Sequence, residues 1–149
     1  MLDASLEVND SQPLIVVEMA RERLGILKGK KITVLGLAFK PDTDDIRESR
    51  SEVVIKKLLE EDAIVTGHDP EAMKNFKEIS DIKMCNTALD ALSQADCLIL
   101  MTEWQEYINL DYELIKQKMS GNVIIDGRRA FDYRRMEEVG FDYKAIGLG

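Results

Sequence analysis

Four basic side chains have the type and spacing expected of an anion-binding site. Lys40 and Arg47 bracket a polar loop that follows one short apolar run, and Arg128 and Arg129 follow a second apolar run. If both runs are strands of one parallel sheet, their carboxyl ends meet at the edge where ligands of such sheets bind. Arginine can hold a phosphate through two parallel hydrogen bonds. The pattern therefore indicates a phosphate or nucleotide site at this edge.

An alternative explanation for the same cations remains open at the level of sequence. They can be solvated side chains that balance the acidic residues of the first loop, which are Asp42, Asp44, Asp45 and Glu48. Spacing alone does not decide between a binding site and a charged rim.

The first glycine turn lacks most of a dinucleotide fingerprint. Gly36 occupies the first glycine position of G-x-G-x-x-G, but the residues after it are Leu37, Ala38, Phe39 and Lys40. Without the later glycines, the backbone cannot approach a pyrophosphate in the usual way. We predict a Rossmann-like domain that does not bind NAD through this turn. Asp69 resembles a ribose-binding acid, but next to Pro70 a capping role is favoured.

The other reactive residue types suggest no catalytic centre. His68 is the only histidine and has no acid or nucleophile partner nearby in sequence. Cys85 and Cys97 lie inside apolar stretches, which predicts buried free thiols in a reducing compartment. Trp104 can stack on a base or pack in the core, and the core is favoured. No residues have metal-ligand spacing, so we expect neither a catalytic residue nor a metal site.

Strand and helix patterns alternate from Lys31 onward. This alternation predicts an α/β, Rossmann-like three-layer domain with a mostly parallel sheet, preceded by an N-terminal helical segment. Ser49 and Glu52 have the spacing of a capping box that opens the first helix after the glycine turn. The predicted strands are residues 32–35, 63–66, 82–85, 97–101, 123–125 and 143–146.

The leading segment has a helical pattern but no strand before it. We expect an earlier helix to break near Asn9, a new helix to accept Pro13 in its first turn, and Gly25 to end it. Its apolar face needs a partner surface, so it either mediates self-association or folds back on its own domain. That face consists of Leu14, Val17, Ala20 and Leu24.

Composition and charge narrow the function classes. At 149 residues, with 45% apolar and 32% charged residues, the chain is expected to form one soluble globular domain. A net charge of −8 argues against broad nucleic-acid binding, because a phosphate footprint needs a basic face. No apolar run approaches the roughly 20 residues of a membrane span, so we expect no membrane association, no signal peptide and a cytoplasmic location.

Four motifs together resemble one family. They are GLAFKPDTDDIRES (36–49), HDP (68–70), MTEW followed by NLDYE (101–104 and 109–113), and DGRRAFD (126–132). Their order and spacing resemble the C-terminal domain of the UDP-glucose/GDP-mannose dehydrogenases, and TEW with DGRR is most similar to the UDP-glucose branch. The segment EVNDSQP (7–13) and the helix after it resemble the end of that family's central dimerisation helix.

The resemblance implies an enzyme of which this chain is one part. That family oxidises the C6 alcohol of a nucleotide sugar to a carboxylate in two NAD-dependent steps, through a cysteine thiohemiacetal. Its NAD fingerprint and catalytic cysteine lie upstream of the part present here. The implied division is therefore residues 1–28 as the end of the dimerisation helix region and residues 29–149 as the UDP-sugar-binding domain. NAD would be bound mainly by the upstream domain, and the full enzyme would be a homodimer or larger homo-oligomer.

The resemblance also assigns roles to single residues. Phe39 and Lys40 match the loop that contacts the UDP moiety, and Arg47 matches an arginine on the NAD side of the interdomain cleft. Arg128 and Arg129 match the pair from which an arginine reaches the nucleotide sugar. Arg50 departs from the pattern, because relatives commonly carry proline after RES. Two alternatives remain: a dehydrogenase of the UDP-N-acetyl-hexosamine type, or a stand-alone nucleotide-binding or regulatory module.

Overall fold

The chain folds as a parallel sheet between helices, with one long helix before the first strand. The computed structural model describes residues 4–147, with side chains described from Gln12 onward. The elements in chain order are α1 Ala4–Leu24, β1 Lys31–Leu35, α2 Arg50–Glu60, β2 Ile64–His68, α3 Met73–Phe76, β3 Lys83–Met84, α4 Ala88–Ala91, β4 Cys97–Leu100, α5 Gln105–Ile108, α6 Tyr112–Lys118, β5 Val123–Asp126, α7 Tyr133–Val139 and β6 Asp142–Ala145.

The six strands lie in the order β3-β2-β1-β4-β5-β6 and pair in parallel throughout. The predicted α/β, Rossmann-like architecture with a leading helix is confirmed. The strand order reverses between β1 and β4, and a ligand of such a sheet binds outside the carboxyl ends of the strands at that point. The loops after β1, β4 and β5 all begin at this edge.

The central strands β4 and β5 are buried along their whole length because helices cover both faces of the sheet. All four residues of β4 and all four of β5 are buried. The edge strand β3 has only two residues. A short edge strand offers few unpaired backbone groups. The functional loops therefore start from the rigid middle of the sheet.

Helix α1 folds back on its own domain, one of the two predicted outcomes. It packs against α2 and β5. Val16, Val17 and Ala20 are at most 1% exposed and belong to the same core as the strands, whereas Leu14 is 49% exposed. The buried face is thus rotated from the predicted one. The division into residues 1–28 and residues 29–149 stays a prediction. In the structure, α1 shares the core of the domain.

Two expectations about α1 are wrong. The helix runs unbroken past Asn9, and Pro13 lies in its interior instead of its first turn. Local propensity predicted a break, but most helical stability comes from the packing of one face, and here that face is buried against α2 and β5. Ion pairs from Arg21 to Glu61 and from Arg23 to Asp142 fasten the helix further.

The start of α2 is predicted correctly, but its cap is not. Ser49 is the N-cap residue, yet its side chain accepts no hydrogen bond from the first turn and the capping box with Glu52 does not form. The Ser49 hydroxyl instead donates to the carbonyl of Leu37 at 2.8 Å. An unpaired carbonyl in the interior costs more free energy than an uncapped helix end near solvent, because water can bond to the helix end.

No helix in residues 4–147 combines the length and apolar character needed to cross a membrane.

Candidate functional site

The amide groups of the glycine turn after β1 are all engaged inside the protein. Gly36 N donates to the carbonyl of His68 at 2.9 Å. The amides of Leu37 and Ala38 donate to Oδ2 of Asp69 at 2.8 and 2.9 Å. In a dinucleotide-binding domain, amides at this turn face the pyrophosphate. Here they are already paired, which supports the interpretation that this turn does not bind NAD.

The carbonyl groups of the same turn are also paired, each with a buried hydroxyl. Ser51 Oγ donates to Gly36 O at 2.6 Å, and Thr102 Oγ1 donates to Ala38 O at 2.8 Å. With the bond from Ser49 to Leu37, three hydroxyls from two other segments hold residues 36–38. The turn is therefore a rigid base from which Phe39 and Lys40 project.

Asp69 is a buried structural carboxylate and not a ribose ligand. It is 0% exposed, and its Oδ1 accepts from the amides of Glu71 and Ala72 at 2.8 Å. These bonds hold the turn at residues 70–72, whereas the N-cap residue of α3 is Ala72, so Asp69 does not cap the helix as predicted. Its other oxygen accepts the amides of the glycine turn and, at 3.1 Å, Nε1 of Trp104. Both oxygens are fully used within the protein.

Trp104 and His68 also serve the core. Trp104 is 8% exposed, as its predicted core role requires. His68 Nδ1 lies 2.8 Å from the hydroxyl of Tyr107, which donates to the carbonyl of His68 at 2.9 Å. Burial lowers the pKa of His68, so the imidazole is neutral near pH 7.

The two thiols differ from each other in exposure. Cys97 is 0% exposed, and burial raises the pKa of its thiol. Cys85 is only half-buried, so its predicted burial is wrong: β3 ends at Met84, one residue earlier than expected, and Cys85 lies just past this edge strand. In the described part of the chain, no group of three or more His, Cys, Asp or Glu side chains could hold a metal ion.

A second buried carboxylate organises the loop after β5. Asp126 is 0% exposed; its Oδ1 accepts from Arg128 N at 2.9 Å, and its Oδ2 accepts from the amides of Ala130 and Phe131 at 2.9 Å and from the Tyr143 hydroxyl at 2.7 Å. Sequence reasoning missed this role. The available signal was that Asp126, like Asp69, ends a strand directly before a turn.

The two arginines of this loop point to different neighbours. Arg129 has φ +54°, a left-handed conformation that turns the chain between the two side chains. Arg128 donates from Nε to Oε2 of Glu103 at 3.0 Å, and its Nη2 lies 3.0 Å from the same oxygen in an ion pair. The guanidinium of Arg129 lies beside Gly147, with Nη1 3.4 Å from where a Cβ on that glycine would be. Arg128 therefore faces the loop after β4, and Arg129 faces the end of β6.

A cleft at this sheet edge brings part of the predicted site together. It lies between α1, the loop after β1 and the loop after β5. Phe39, which is 37% exposed, and Arg128 both line it. Lys40, the residue after Phe39, is exposed. The residues lining the cleft are Gln12, Val16, Ala38, Phe39, Arg50, Ser51, Met101, Gly127, Arg128 and Ile146.

Arg47 lies outside this cleft. Its side chain is 88% exposed and forks onto Asp45, with Nε to Oδ1 at 3.1 Å and Nη2 to Oδ2 at 3.0 Å. The hydrogen bonds from Arg47 lower the pKa of Asp45. Both belong to a separate surface depression that also includes Asn75 and Glu78. The structure thus places Arg47 apart from Phe39 and Arg128.

Comparison with known proteins identifies relatives of the whole chain. The model of the UDP-glucose/GDP-mannose dehydrogenase family, UDP binding domain, matches residues 33–133. UDP-glucose 6-dehydrogenase of Haloferax volcanii is 43% identical over 147 residues, which are 98% of this chain and 33% of that protein. UDP-glucose 6-dehydrogenase of Rhizobium meliloti is 34% identical over 99% of this chain and 34% of its own length.

Solved structures give the same result. A UDP-glucose dehydrogenase from Pyrobaculum islandicum has a TM-score of 0.82 and 37% identity, covering 97% of this chain and 31% of that one. An NDP-N-acetyl-D-galactosaminuronic acid dehydrogenase from Methanosarcina mazei has a TM-score of 0.83 and 30% identity, covering 95% of this chain and 30% of that one. The chain therefore spans about a third of the length of the relatives it matches.

Proposed function

This chain belongs to the UDP-glucose/GDP-mannose dehydrogenase family, and we propose that it is the UDP-sugar-binding part of an NAD-dependent UDP-glucose 6-dehydrogenase. The observation that carries the proposal is the match to the UDP binding domain over residues 33–133, which includes both cation-bearing loops. The whole enzyme would oxidise UDP-glucose to UDP-glucuronate and would assemble as a homodimer or larger homo-oligomer.

A second candidate substrate class has specific support. The Methanosarcina mazei enzyme, whose name specifies an N-acetylated amino sugar, superposes with a TM-score of 0.83, as high as that of the UDP-glucose dehydrogenase. The second candidate is therefore a dehydrogenase for a UDP-N-acetyl-hexosamine. Comparing the affinity of the protein for the two UDP-sugars separates these candidates.

The proposed binding residues lie on the two loops that meet at the cleft. Phe39 and Lys40 would contact the UDP moiety, and Arg128 or Arg129 would reach the diphosphate or the sugar. Support comes from Phe39 and Arg128 lining one cleft and from Lys40 and Arg129 being exposed beside them. Arg47, which lies outside the cleft, would serve the NAD side.

The first turn of this chain does not fit NAD, because its amides are paired internally. NAD would supply the hydride acceptor of the reaction and would be bound mainly outside this chain. The proposed work of this chain is to hold the nucleotide: cations at one edge of an acidic protein attract a diphosphate and orient it by charge-assisted hydrogen bonds.

Removing one of these cations should weaken nucleotide binding selectively. A hydrogen bond to a charged group contributes about 1.5–3 kcal/mol, so we expect Lys40→Ala and Arg129→Ala to raise the Kd for UDP-glucose about ten- to a hundredfold. NAD affinity should remain nearly unchanged, and Arg47→Ala should have the reverse pattern. Isothermal titration calorimetry on the longer protein that contains this chain measures both ligands.

Lys118→Ala is the matched control for Lys40→Ala, because Lys118 is equally a surface lysine but lies near the amino end of β4, where its carbonyl accepts from Gln94 N. Unchanged UDP-glucose binding in both Lys40→Ala and Arg129→Ala would show that the cations are only a solvated rim.

The 149-residue chain alone should not reduce NAD in the presence of UDP-glucose. Its glycine turn has no amide left for a pyrophosphate, and the Cys97 thiol is buried. The absorbance of NADH reports any turnover. A measurable rate that disappears in Cys85→Ala or Cys97→Ala would identify that cysteine as a nucleophile and overturn this expectation.

A further inference from the structure

Arg128 is held both at its backbone amide and at its guanidinium. Its amide donates to Oδ1 of Asp126 at 2.9 Å, which fixes the backbone at the end of β5. Its guanidinium donates from Nε to Oε2 of Glu103 at 3.0 Å, and Nη2 lies 3.0 Å from the same oxygen in an ion pair. Both side chains are about one-third exposed, at 33% and 29%. The arginine thus has a defined position before any ligand arrives.

Glu103 contacts Arg128, which lines the cleft, but does not line the cleft itself. Among the described residues, those lining the cleft include Arg128 and its neighbour Gly127, but not Glu103. Glu103 follows β4 in the segment between Thr102, whose hydroxyl bonds the glycine turn, and Trp104, whose indole bonds Asp69. Its backbone is therefore tied to the same rigid base that carries Phe39.

We propose that Glu103 is a positioning residue that fixes the guanidinium of Arg128 for the diphosphate of a UDP-sugar. The inference rests on the proposed function, because it takes the nucleotide to lie over the mouth of this cleft, whose own volume of about 10 Å³ is too small to enclose it. Nη1 and the remaining hydrogens of the guanidinium are not used by the bonds to Glu103, so they can donate to a phosphate while the pair persists.

Pre-ordering an arginine has a measurable effect on affinity. Immobilising a side chain with many rotamers on binding costs enough to weaken the affinity roughly two- to tenfold. Glu103 removes that loss, because the guanidinium is ordered already. Its negative charge acts in the opposite direction, since it repels an anionic ligand. A test must therefore separate position from charge.

Two uncharged variants of Glu103 separate the effect of position from the effect of charge. Glu103→Gln and Glu103→Ala both remove the charge, but only glutamine retains an acceptor for Arg128. With UDP as the probe and calorimetry as the readout, we expect Glu103→Ala to bind UDP about two- to tenfold more weakly than Glu103→Gln. In an Arg128→Ala background the two variants should bind UDP equally, because no guanidinium remains to be positioned. Glu113→Ala, an exposed glutamate on α6, is the control.

Equal UDP affinities for Glu103→Ala and Glu103→Gln in the presence of Arg128 would overturn the proposal. So would a difference between them that persists without Arg128, because Glu103 would then act through another group. Equal thermal stability of the two variants shows that the comparison is made between folded proteins.

A measurement without ligand distinguishes failure of this inference from failure of the proposed function. NMR relaxation of the Arg128 Nε–H group in the 149-residue chain should show an ordered side chain in the wild type and in Glu103→Gln, and a mobile one in Glu103→Ala. If Arg128 is equally mobile in all three, the positioning role is wrong. If Arg128 is ordered but neither the chain nor the longer protein that contains it binds UDP, the proposed function is wrong, and with it the positioning role.

Discussion

Replacing Asp69 by asparagine should destabilise the domain by about 3–6 kcal/mol. The Asp69 carboxylate accepts five hydrogen bonds, three at Oδ2 and two at Oδ1. An asparagine has one oxygen, so its amide group must face at least the amides of Glu71 and Ala72, which then lose their acceptor. Each lost bond to a charged acceptor costs about 1.5–3 kcal/mol.

Urea denaturation of the 149-residue chain measures this loss as a change in the free energy of unfolding. Since small domains are stable by only about 5–15 kcal/mol, the variant should be folded only marginally. The effect should extend to the glycine turn, because Leu37 and Ala38 depend on the same carboxylate. Faster hydrogen exchange at these two amides would show that the turn has lost its support.

Asp132→Asn is the matched control. Asp132 also accepts two backbone amides, those of Arg134 and Arg135, but at the exposed N-cap of α7. Both amides bond to Oδ1, so asparagine can keep this cap, and Asp132→Asn should cost less than about 1 kcal/mol because asparagine and aspartate are similarly good N-cap residues. Equal losses in Asp69→Asn and Asp132→Asn would mean that the five buried bonds do not hold the loops together.

The sheet could be predicted from the sequence because its signals are local. The apolar runs of β4 and β5 indicate buried strands without reference to the rest of the chain, and α1 ends directly before the left-handed Gly25, which was expected to end it. The cation-bearing loops could be placed at one edge for the same reason, since parallel strands put their carboxyl ends together.

The features that sequence reasoning missed depend on distant partners. Ser49 bonds Leu37 across the loop, and Glu103 bonds Arg128 from the neighbouring strand end. Neither contact can be predicted from the spacing of residues within one segment. The continuity of α1 through Pro13 is of the same kind, because it follows from packing on α2 and β5.

Replacing Gly36 by alanine should have the second large effect on the stability of the domain. Its φ is +99°, and a Cβ on this residue would lie 2.5 Å from the backbone nitrogen of Thr102. A side chain at a left-handed position costs about 1–2 kcal/mol, and overpacking adds about 1–3 kcal/mol. We therefore expect Gly36→Ala to lower the free energy of unfolding by about 2–5 kcal/mol.

Gly29→Ala isolates the steric part of that effect. Gly29 has φ +77°, but nothing lies within 4 Å of its added Cβ, so only the conformational cost of about 1–2 kcal/mol should appear. Denaturation of both variants gives the difference. Thr102→Ser should not rescue Gly36→Ala, because serine retains the three obstacles, which are Cβ, the backbone nitrogen and the hydroxyl oxygen of residue 102.

The comparison also tests why this chain keeps one glycine of a dinucleotide fingerprint. The structure indicates that Gly36 allows β1 to approach the loop after β4, where Thr102 occupies the space beside the turn. If Gly36→Ala instead kept its stability and lost only nucleotide affinity, Gly36 would be a ligand contact. A loss of stability with the size expected here would show that the glycine serves packing.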